Sequence, residues 1–356
     1  MASPDYKNNL SYFFEKCRAM KVLVIGDVML DVWIEGEASR LSPEAPVPVV
    51  KLSPKSTTYS LGGAANVAMN ARALGAKVSL MGAVGIGKAG KRIHDLLKQA
   101  GIKNYLGSYA GRVTTQKIRV GCQGQQIVRM DFEKIKGLDE DQTKWFFGWD
   151  TPTRNFDAVI IADYGKGVIC DAMLRGLRQS KYCEKAELVI DPIPENFGLY
   201  KKHLDYCVSA ITPNAVEAVD IVKSHYPFSD QYDIRRKISA TAWTKLYCPT
   251  VLITEGKNGL TLSETCEGDL GIFTEGTHFP ATHQPSTAAD VSGAGDTVTA
   301  VFAMALAAGM DKRYAAELAN AAAGVVVGKR GTAVCNQEEL EDAMEESKWE
   351  ARNRIK

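Results

Sequence analysis

One run of small residues, Asp290-Val-Ser-Gly-Ala-Gly-Asp-Thr297, directly precedes an apolar segment over 298–308. Gly293 and Gly295 permit a tight turn in which successive backbone N–H groups point into one cavity. A helix that follows adds the positive end of its dipole, which favours a bound anion. Asp296 would lie beside that anion and could accept a proton from a hydroxyl group. The run predicts a phosphoryl-transfer site; taken alone, a helix capped by Asp296 is the commoner explanation.

A second glycine cluster, Gly62-Gly-Ala-Ala-Asn66, also opens a helical pattern. Gly62 and Gly63 would let a ligand approach the backbone closely, and Asn66 could hydrogen-bond a sugar hydroxyl. Asp27 and Asp31 follow a buried apolar run and could accept hydroxyl hydrogens from a polyol. Close helix packing, metal ligation or ordinary loop-start residues would explain the same pattern.

Two further segments are candidates for holding a nucleotide. Asn214-Ala-Val-Glu217 follows a strand and Pro213, and its first and last residues share one helix face. Their oxygens suit Mg²⁺, which prefers oxygen ligands and keeps waters, although a capping arrangement would look alike. The Thr254-Glu-Gly-Lys-Asn-Gly259 turn could expose N–H groups to phosphate. Asn320 begins a run of small residues that leaves room for a flat ring or for close helix packing.

The elements that must position these residues follow from hydrophobic periodicity. Short apolar runs alternate with helical patterns, which is typical of a mostly parallel sheet covered by helices on both faces. Ligands bind beyond the carboxyl ends of such strands, where Asp27, Asp163, Asp191 and Thr254 fall. The predicted strands are 21–26, 77–81, 158–162, 188–190, 206–210 and 251–254, and the predicted helices include 64–74, 91–100, 171–179 and 234–245.

Two segments interrupt this order, at about 33–59 and 113–132. Extended or alternating residues there predict strands that leave the main sheet and pair as a small β-sheet lid over the cleft. An ordinary surface hairpin is the alternative. We expect an N-terminal arm over 1–20, either a leading helix or a loose segment, one large domain over 21–346 and a C-terminal tail over 347–356.

Composition excludes several classes of protein. Lys+Arg (43) nearly balance Asp+Glu (42), so a nucleic-acid footprint is not expected. Eight cysteines without a C-x-x-C pair, and five histidines, argue against structural zinc. The N-terminus is polar, and the longest apolar-rich stretch is too short to span a bilayer. We expect a cytoplasmic protein with no membrane partner.

Together, the motifs resemble the ribokinase-like (PfkB) carbohydrate kinase family over roughly residues 21–340. The resemblance implies ATP and Mg²⁺ as cofactors, leaves a monovalent cation open, and implies a homodimer in which small sheets of two subunits clasp. It implies that Asp296 is the general base and that Gly293, Ala294 and Gly295 form the anion hole. The implied ATP-side residues are Asn214, Ala215, Val216, Glu217 (also the metal ligand), Thr254, Gly256, Gly259 and Asn320. The implied sugar-side residues are Asp27, Asp31, Gly62, Gly63 and Asn66.

Four segments look closest to the branch that phosphorylates D-glycero-β-D-manno-heptose 7-phosphate for ADP-heptose and lipopolysaccharide core synthesis. They are 26–31, 39–50, 62–70 and 320–329. No nucleotidyltransferase-type region follows, so a stand-alone kinase is expected. Three positions depart from the branch: Val32 follows Asp31, Gly85-Ile-Gly-Lys88 replaces an acidic run, and Ile193 stands where a lysine is usual. A cation for the distal phosphate must then come from Arg119, Lys166, Lys117 or Arg129.

Three functions stay open from the sequence. The first is an ATP-dependent kinase of heptose 7-phosphate that acts on the anomeric hydroxyl. The second is a kinase for another sugar or a nucleoside. The third, from a different class, is a catalytically silent sugar or nucleotide sensor on the same fold, against which the intact Gly293-Ala-Gly-Asp296 argues.

Overall fold

The computed structural model describes residues 6–354 except 124, 149–154, 181, 226–233, 269–270, 283–291 and 330. Asp290 and Val291 of the first motif, and Gly124, therefore lie outside the described residues. The strands are β1 Lys21–Gly26, β2 Val28–Leu41, β3 Pro48–Gly63, β4 Lys77–Gly85, β5 Lys103–Tyr109, β6 Thr115–Cys122, β7 Gln125–Phe132, β8 Ala158–Ala162, β9 Glu187–Asp191, β10 Ala210–Ile211, β11 Thr250–Thr254, β12 Leu260–Gly268 and β13 Gly271–Phe279. The helices are α1 Tyr6–Ala19, α2 Ala64–Ala73, α3 Lys88–Ala100, α4 Glu140–Phe146, α5 Asp171–Ser180, α6 Phe197–Leu204, α7 Ala215–His225, α8 Ile234–Leu246, α9 Ala294–Ala307, α10 Lys312–Val327 and α11 Gln337–Arg354.

Within the described residues, nine strands form one large sheet in the order β13-β12-β11-β10-β9-β8-β1-β4-β5. Its strands run parallel except for β12 and β13, which are antiparallel at one edge. Alternate residues of β1 serve opposite faces: Val22 and Val24 join one hydrophobic core, and Leu23 and Ile25 join the other. This two-sided burial explains why the strands read as continuous apolar runs, and it confirms the predicted fold class.

A second, four-stranded sheet has the order β3-β2-β6-β7. The two odd segments do pair with each other, through parallel contacts between β2 and β6. The sheet reaches deeper than predicted, because β2 starts at Val28, directly after Asp27, and β3 ends at Gly63. Residues 28–32 are buried, so in the sequence they look like a continuation of the apolar run of β1. Their pairing in a second sheet was therefore not predicted. We call these four strands the small sheet.

The structure refines three predictions about the chain. Within the expected arm, Tyr6–Ala19 form the helix that was one of the two alternatives, and α1 packs Leu10, Phe13 and Cys17 into the core on one helical stripe. The predicted strand over 206–210 shrinks to Ala210–Ile211, since Tyr206 has a left-handed φ of 62°. The predicted tail is instead a continuation of α11 as far as Arg354.

Among the helices that the structure describes, none combines the length and the apolar character that crossing a bilayer requires.

Candidate active site

The start of α9 is built by a left-handed glycine. Gly293 precedes the helix with φ 86° and ψ 0°, and Ala294, Gly295 and Asp296 make its first turn. No side chain caps this turn among the residues described. Its N–H groups and the dipole of a 14-residue helix therefore point toward the cleft, as an anion site requires.

Asn66 and Asp296 meet because two helices begin face to face. Each residue lies in the first turn of its helix, Asn66 in α2 and Asp296 in α9. The Asn66 amide nitrogen donates to Oδ2 of Asp296 over 2.7 Å, and only 8% of Asp296 is exposed. A Cβ on Gly293 would lie 2.5 Å from that amide nitrogen, so glycine is needed for space as well as for its φ.

Tyr164 is a site residue that sequence reasoning missed. It follows β8, and its hydroxyl donates to Oδ1 of Asp296. The available signal was its position directly after Asp163, at the end of a strand. Burial raises the pKa of Asp296, the hydrogen bonds from Tyr164 and Asn66 oppose this, and the Asp31 carboxylate adds to it. The ammonium of Lys117 acts in the lowering direction on the same pKa.

Asp27 has a different set of partners from those expected. Its carboxylate accepts three backbone N–H groups of the loop after β8: those of Tyr164 at 3.1 Å, Lys166 at 2.9 Å and Val168 at 2.9 Å. Only 1% of Asp27 is exposed. The Asp27 carboxylate therefore anchors this loop.

Asp31 lies on β2 of the small sheet and pairs with Arg119 on the neighbouring strand β6. Arg119 Nη1 donates to Asp31 Oδ1 at 2.8 Å, and Nη2 donates to Ser292 Oγ at 2.9 Å. Arg119 thus joins the small sheet to the residue just before Gly293. A Cβ on Gly62 would lie 2.2 Å from Asp31 Oδ2, so this glycine makes room for the carboxylate.

Gly63 and Lys166 serve packing and pairing in the structure. Gly63 has φ 59°, and a Cβ there would lie 2.5 Å from the Asp27 carbonyl oxygen. The Lys166 ammonium makes an ion pair with Glu133, with 2.8 Å between Nζ and Oε2. These partners give neither residue a direct place beside Asp296.

A cavity of about 430 Å³ opens on the other side of the α9 start. Seven of the predicted residues line it together, which puts most of the nucleotide candidates in one place: Asn214, Thr254, Gly256, Gly259, Asn320, Ala294 and Gly295. Lys257, which the sequence analysis did not single out, contributes a cation to the wall. Asn320 is oriented by a 2.7 Å hydrogen bond from its amide to the Pro280 carbonyl oxygen.

Asn214 and Glu217 form the capping arrangement that was the alternative reading. Asn214 Oδ1 accepts the N–H groups of Val216 and Glu217 at 2.9 and 3.0 Å, and Glu217 Oε2 accepts the Asn214 N–H at 2.8 Å. Burial raises the pKa of Glu217. Ala215 and Val216 are exposed in the first turn of α7, outside the cavity lining.

The carboxylates of Asp191, Glu217 and Asp296 suit a magnesium ion that takes most of its ligands from groups outside the protein. In the part of the chain that the structure describes, no cluster of three or more His, Cys, Asp or Glu could cage a metal. Burial raises the pKa of Asp191 well above its usual range, and the charges of Glu217 and Asp296 add to this. The Asp191, Glu217 and Asp296 carboxyls therefore interact with one another, a bound cation would offset that repulsion, and Mg²⁺ commonly takes its remaining ligands from phosphate and water.

The site combines an uncapped helix start, a buried carboxylate and a nucleotide-sized cavity, which together define a phosphotransferase. The family model "pfkB family carbohydrate kinase" matches residues 19–339, and the chain belongs to that family. The fold and the site described above agree with that family of kinases.

Curated relatives match most of the chain at moderate sequence identity. "Bifunctional protein HldE" of Desulfatibacillum aliphaticivorans is 39% identical over 337 residues, covering 94% of this chain and 64% of the relative. The protein of the same name from Pseudomonas fluorescens (strain Pf0-1) is 37% identical, covering 91% and 63%. The chain thus spans just under two thirds of the length of these relatives.

Solved structures support the fold. Phosphofructokinase-2 from Escherichia coli in complex with potassium aligns with a TM-score of 0.69 at 16% identity, covering 92% of this chain and 99% of that one. Arabidopsis thaliana ribokinase complexed with ribose and ATP aligns with a TM-score of 0.63 at 19% identity, covering 91% and 98%. At these identities the likeness concerns the ribokinase-like architecture alone.

Proposed function

We propose that this kinase transfers the γ-phosphoryl group of ATP to the anomeric hydroxyl of D-glycero-β-D-manno-heptose 7-phosphate, which gives the 1,7-bisphosphate. The observation that carries the reaction type is the position of Asp296. Its carboxylate lies in the first turn of uncapped α9, between the cavity on one side and Asn66 on the other. The product would supply ADP-heptose synthesis.

In the proposed step, the sugar hydroxyl oxygen forms a bond to the γ-phosphorus as the bond from that phosphorus to ADP oxygen breaks. The electron pair of the broken bond leaves with ADP, and the hydroxyl proton passes to Asp296. The N–H groups of Gly293, Ala294 and Gly295 would stabilise charge on the transferring group. Such a reaction depends mainly on positioning and charge neutralisation, which this arrangement offers.

We assign the cavity to ATP. Gly256 and Gly259 have left-handed φ values of 58° and 91°, so the turn between them can present backbone groups to phosphate. The small residues Ala323 and Gly324 leave room for a flat ring against α10. Glu217 would help to hold Mg²⁺, which would supply positive charge against the negative charge of the phosphates. The requirement for a monovalent cation stays open.

The heptose is proposed from the four segments that resemble heptose 7-phosphate kinases. The distal phosphate would meet the small sheet, where Lys117 lies in register between Asp31 and Asp131. The other three candidate cations already have carboxylate partners: Arg119 with Asp31, Arg129 with Asp131 and Lys166 with Glu133. We therefore favour Lys117 as the first cation to meet a sugar phosphate.

A substrate panel tests the proposal. ADP formation would be measured with heptose 7-phosphate, unphosphorylated heptose, fructose 6-phosphate, ribose and a nucleoside. We expect the highest kcat/KM for heptose 7-phosphate, with phosphorus NMR placing the new phosphate on the anomeric carbon. A higher kcat/KM for another acceptor would replace the heptose as substrate and leave the sugar-kinase assignment standing.

We also propose a homodimer through the small sheet. Val128, Met130 and Phe132 alternate along its edge strand β7 and are 44%, 40% and 53% exposed. In register they lie on the face opposite Asp131 and Lys117, and hence away from the site. An exposed apolar row of this kind favours burial against a second copy.

A further inference from the structure

Tyr164 contacts the proposed base, Asp296, from a loop whose conformation is fixed by other parts of the chain. Its hydroxyl donates to Asp296 Oδ1, while Asn66 holds Oδ2. We propose that Tyr164 and Asp27 are positioning residues for the proposed base: Asp27 fixes the loop over 164–168, and the loop holds the Tyr164 hydroxyl on Asp296. The inference rests on the proposed role of Asp296.

The loop is fixed by more than one contact. Asp27, at the end of β1, accepts the N–H groups of Tyr164, Lys166 and Val168, so one carboxylate gathers alternate residues of the loop. Gly165 and Gly167 have φ values of 67° and 95°, which this tight path requires. A loop bound in this way can hold a phenol in one place.

Two neighbouring groups brace the loop from outside. Asp163 Oδ1 accepts the Gly165 N–H at 2.9 Å, and Asp163 Oδ2 accepts the Tyr200 hydroxyl at 2.6 Å. Arg112 Nη2 donates to the Lys166 carbonyl oxygen at 3.2 Å. The loop is therefore held by Asp27 after β1, by Arg112 between β5 and β6, and through Asp163 by Tyr200 of α6, so Tyr164 has little freedom to leave Asp296.

Tyr164 acts as a donor throughout the neutral range. Burial and the nearby carboxylates of Asp296 and Asp191 raise the pKa of Tyr164 well above its usual value. A neutral phenol that donates to a carboxylate stabilises the ionised form of that carboxylate, which is the form able to accept a proton. It also fixes the direction of the carboxylate plane, and with it the lone pairs that face the sugar.

Other charged groups act on Asp296 from each element around it. Asp31 on β2 raises the pKa of Asp296, and Lys117 on β6 lowers it. Asp191 at the end of β9 and Glu217 on α7 lie close enough to raise the pKa of Tyr164, and a hydrogen bond from Tyr164 lowers the pKa of Asp191 in turn. Because these groups stay in place when the phenol oxygen is removed, a Tyr164→Phe variant isolates the contribution of its hydroxyl.

The test is the pH dependence of kcat/KM for the sugar in Tyr164→Phe. We expect the acidic limb to move up by roughly one to two pH units, as loss of one charge-assisted hydrogen bond implies. The ATP dissociation constant should not change. Tyr109→Phe is the matched control, because its hydroxyl donates to the Gln142 carbonyl oxygen instead of to a carboxylate. An unmoved limb in Tyr164→Phe would overturn the inference.

A second readout does not require turnover. In protein labelled with ¹³C at aspartate carboxyls, the Asp296 signal is assigned by its loss in Asp296→Asn. We expect its titration midpoint to rise in Tyr164→Phe, and an unchanged midpoint would contradict the role given to the hydroxyl. A wild-type enzyme that phosphorylates no heptose 7-phosphate would remove the proposed substrate while leaving this result readable.

Asp27→Asn separates anchoring from sugar binding. An anchor predicts the same upward shift of the acidic limb, with a lower melting temperature. A sugar ligand predicts a higher KM for the sugar with the limb unmoved, and that result would overturn the part assigned to Asp27. Tyr164→Phe keeps the loop bonds intact and so tests the hydroxyl even if Asp27→Asn folds poorly.

Discussion

At the scale of single residues, the site holds a carboxylate under opposing influences. Burial disfavours the charged form of Asp296, while one amide and one phenol stabilise it. A general base works best when its pKa approaches the working pH while it still ionises, and such opposing effects tune a carboxyl in that direction. The proposed role of Asp296 therefore has an environmental basis as well as a positional one.

Asp296→Asn should keep nucleotide binding and lose turnover by roughly 10²- to 10⁴-fold, the usual contribution of general-base catalysis. The change removes the proton acceptor but keeps the shape of the side chain. ATP binding would be measured by calorimetry and kcat by ADP formation. Asp95→Asn, on the exposed face of α3, is the control. Near wild-type kcat in Asp296→Asn would rule out this residue as the base.

At the scale of elements, the site forms where the first turns of α2 and α9 meet. Both helices begin after a glycine with positive φ, Gly63 at 59° and Gly293 at 86°. Neither start is capped by a side chain among the described residues. The two first turns can therefore approach each other closely, which brings Asn66 onto Asp296 and leaves the first turn of α9 without a side-chain cap where an anion can bind.

Gly293→Ala should destabilise the protein and slow the reaction together. A Cβ at this positive φ costs about 1–3 kcal/mol in strain, and it would also push the Asn66 amide away from Asp296. Thermal unfolding and kcat would be measured on the same preparation. Gly87→Ala is the matched control: it also precedes a helix, but its φ is −74° and its Cβ would meet no atom within 4 Å. Equal behaviour of the two variants would contradict the packing argument.

At the scale of the whole molecule, the small sheet contacts the site and carries an exposed apolar row. Arg119 links it to Ser292 beside the α9 start, and a 2.7 Å hydrogen bond joins Thr332 Oγ1 to Ser60 Oγ. The same sheet exposes the row of Val128, Met130 and Phe132. Association of two copies through this row would therefore bear on the position of Arg119 and Asp31 in each site.

Met130→Lys should weaken the proposed homodimer. A charge in the middle of the apolar row must be desolvated on association, so light scattering should show a smaller mass at micromolar concentration. Tyr12→Lys, an equally exposed position on α1, is the control. A wild-type protein that is monomeric in light scattering, or a Met130→Lys variant with an unchanged mass, would contradict the proposal.

The sequence alone determined the α/β class, the location of five of the six predicted strands and seven of the residues that line the cavity. Those features depend on local rules: apolar runs specify buried strands, and glycine or asparagine marks a turn or a helix start. The segments that were predicted less well, α1 and residues 28–32, follow local rules too. Their apolar residues could pack against more than one partner. A pattern shows that such a segment is buried without showing what it contacts.

Only the tertiary structure decided how the site is completed. Asn66 and Tyr164 reach Asp296 across 230 and 132 residues of chain, and no periodicity encodes those contacts. Asp27 and Asp31 read alike in sequence, yet one binds a loop of its own protein and the other pairs with Arg119. Their partners follow from the order in which parallel strands assemble, because that order decides which strand ends meet.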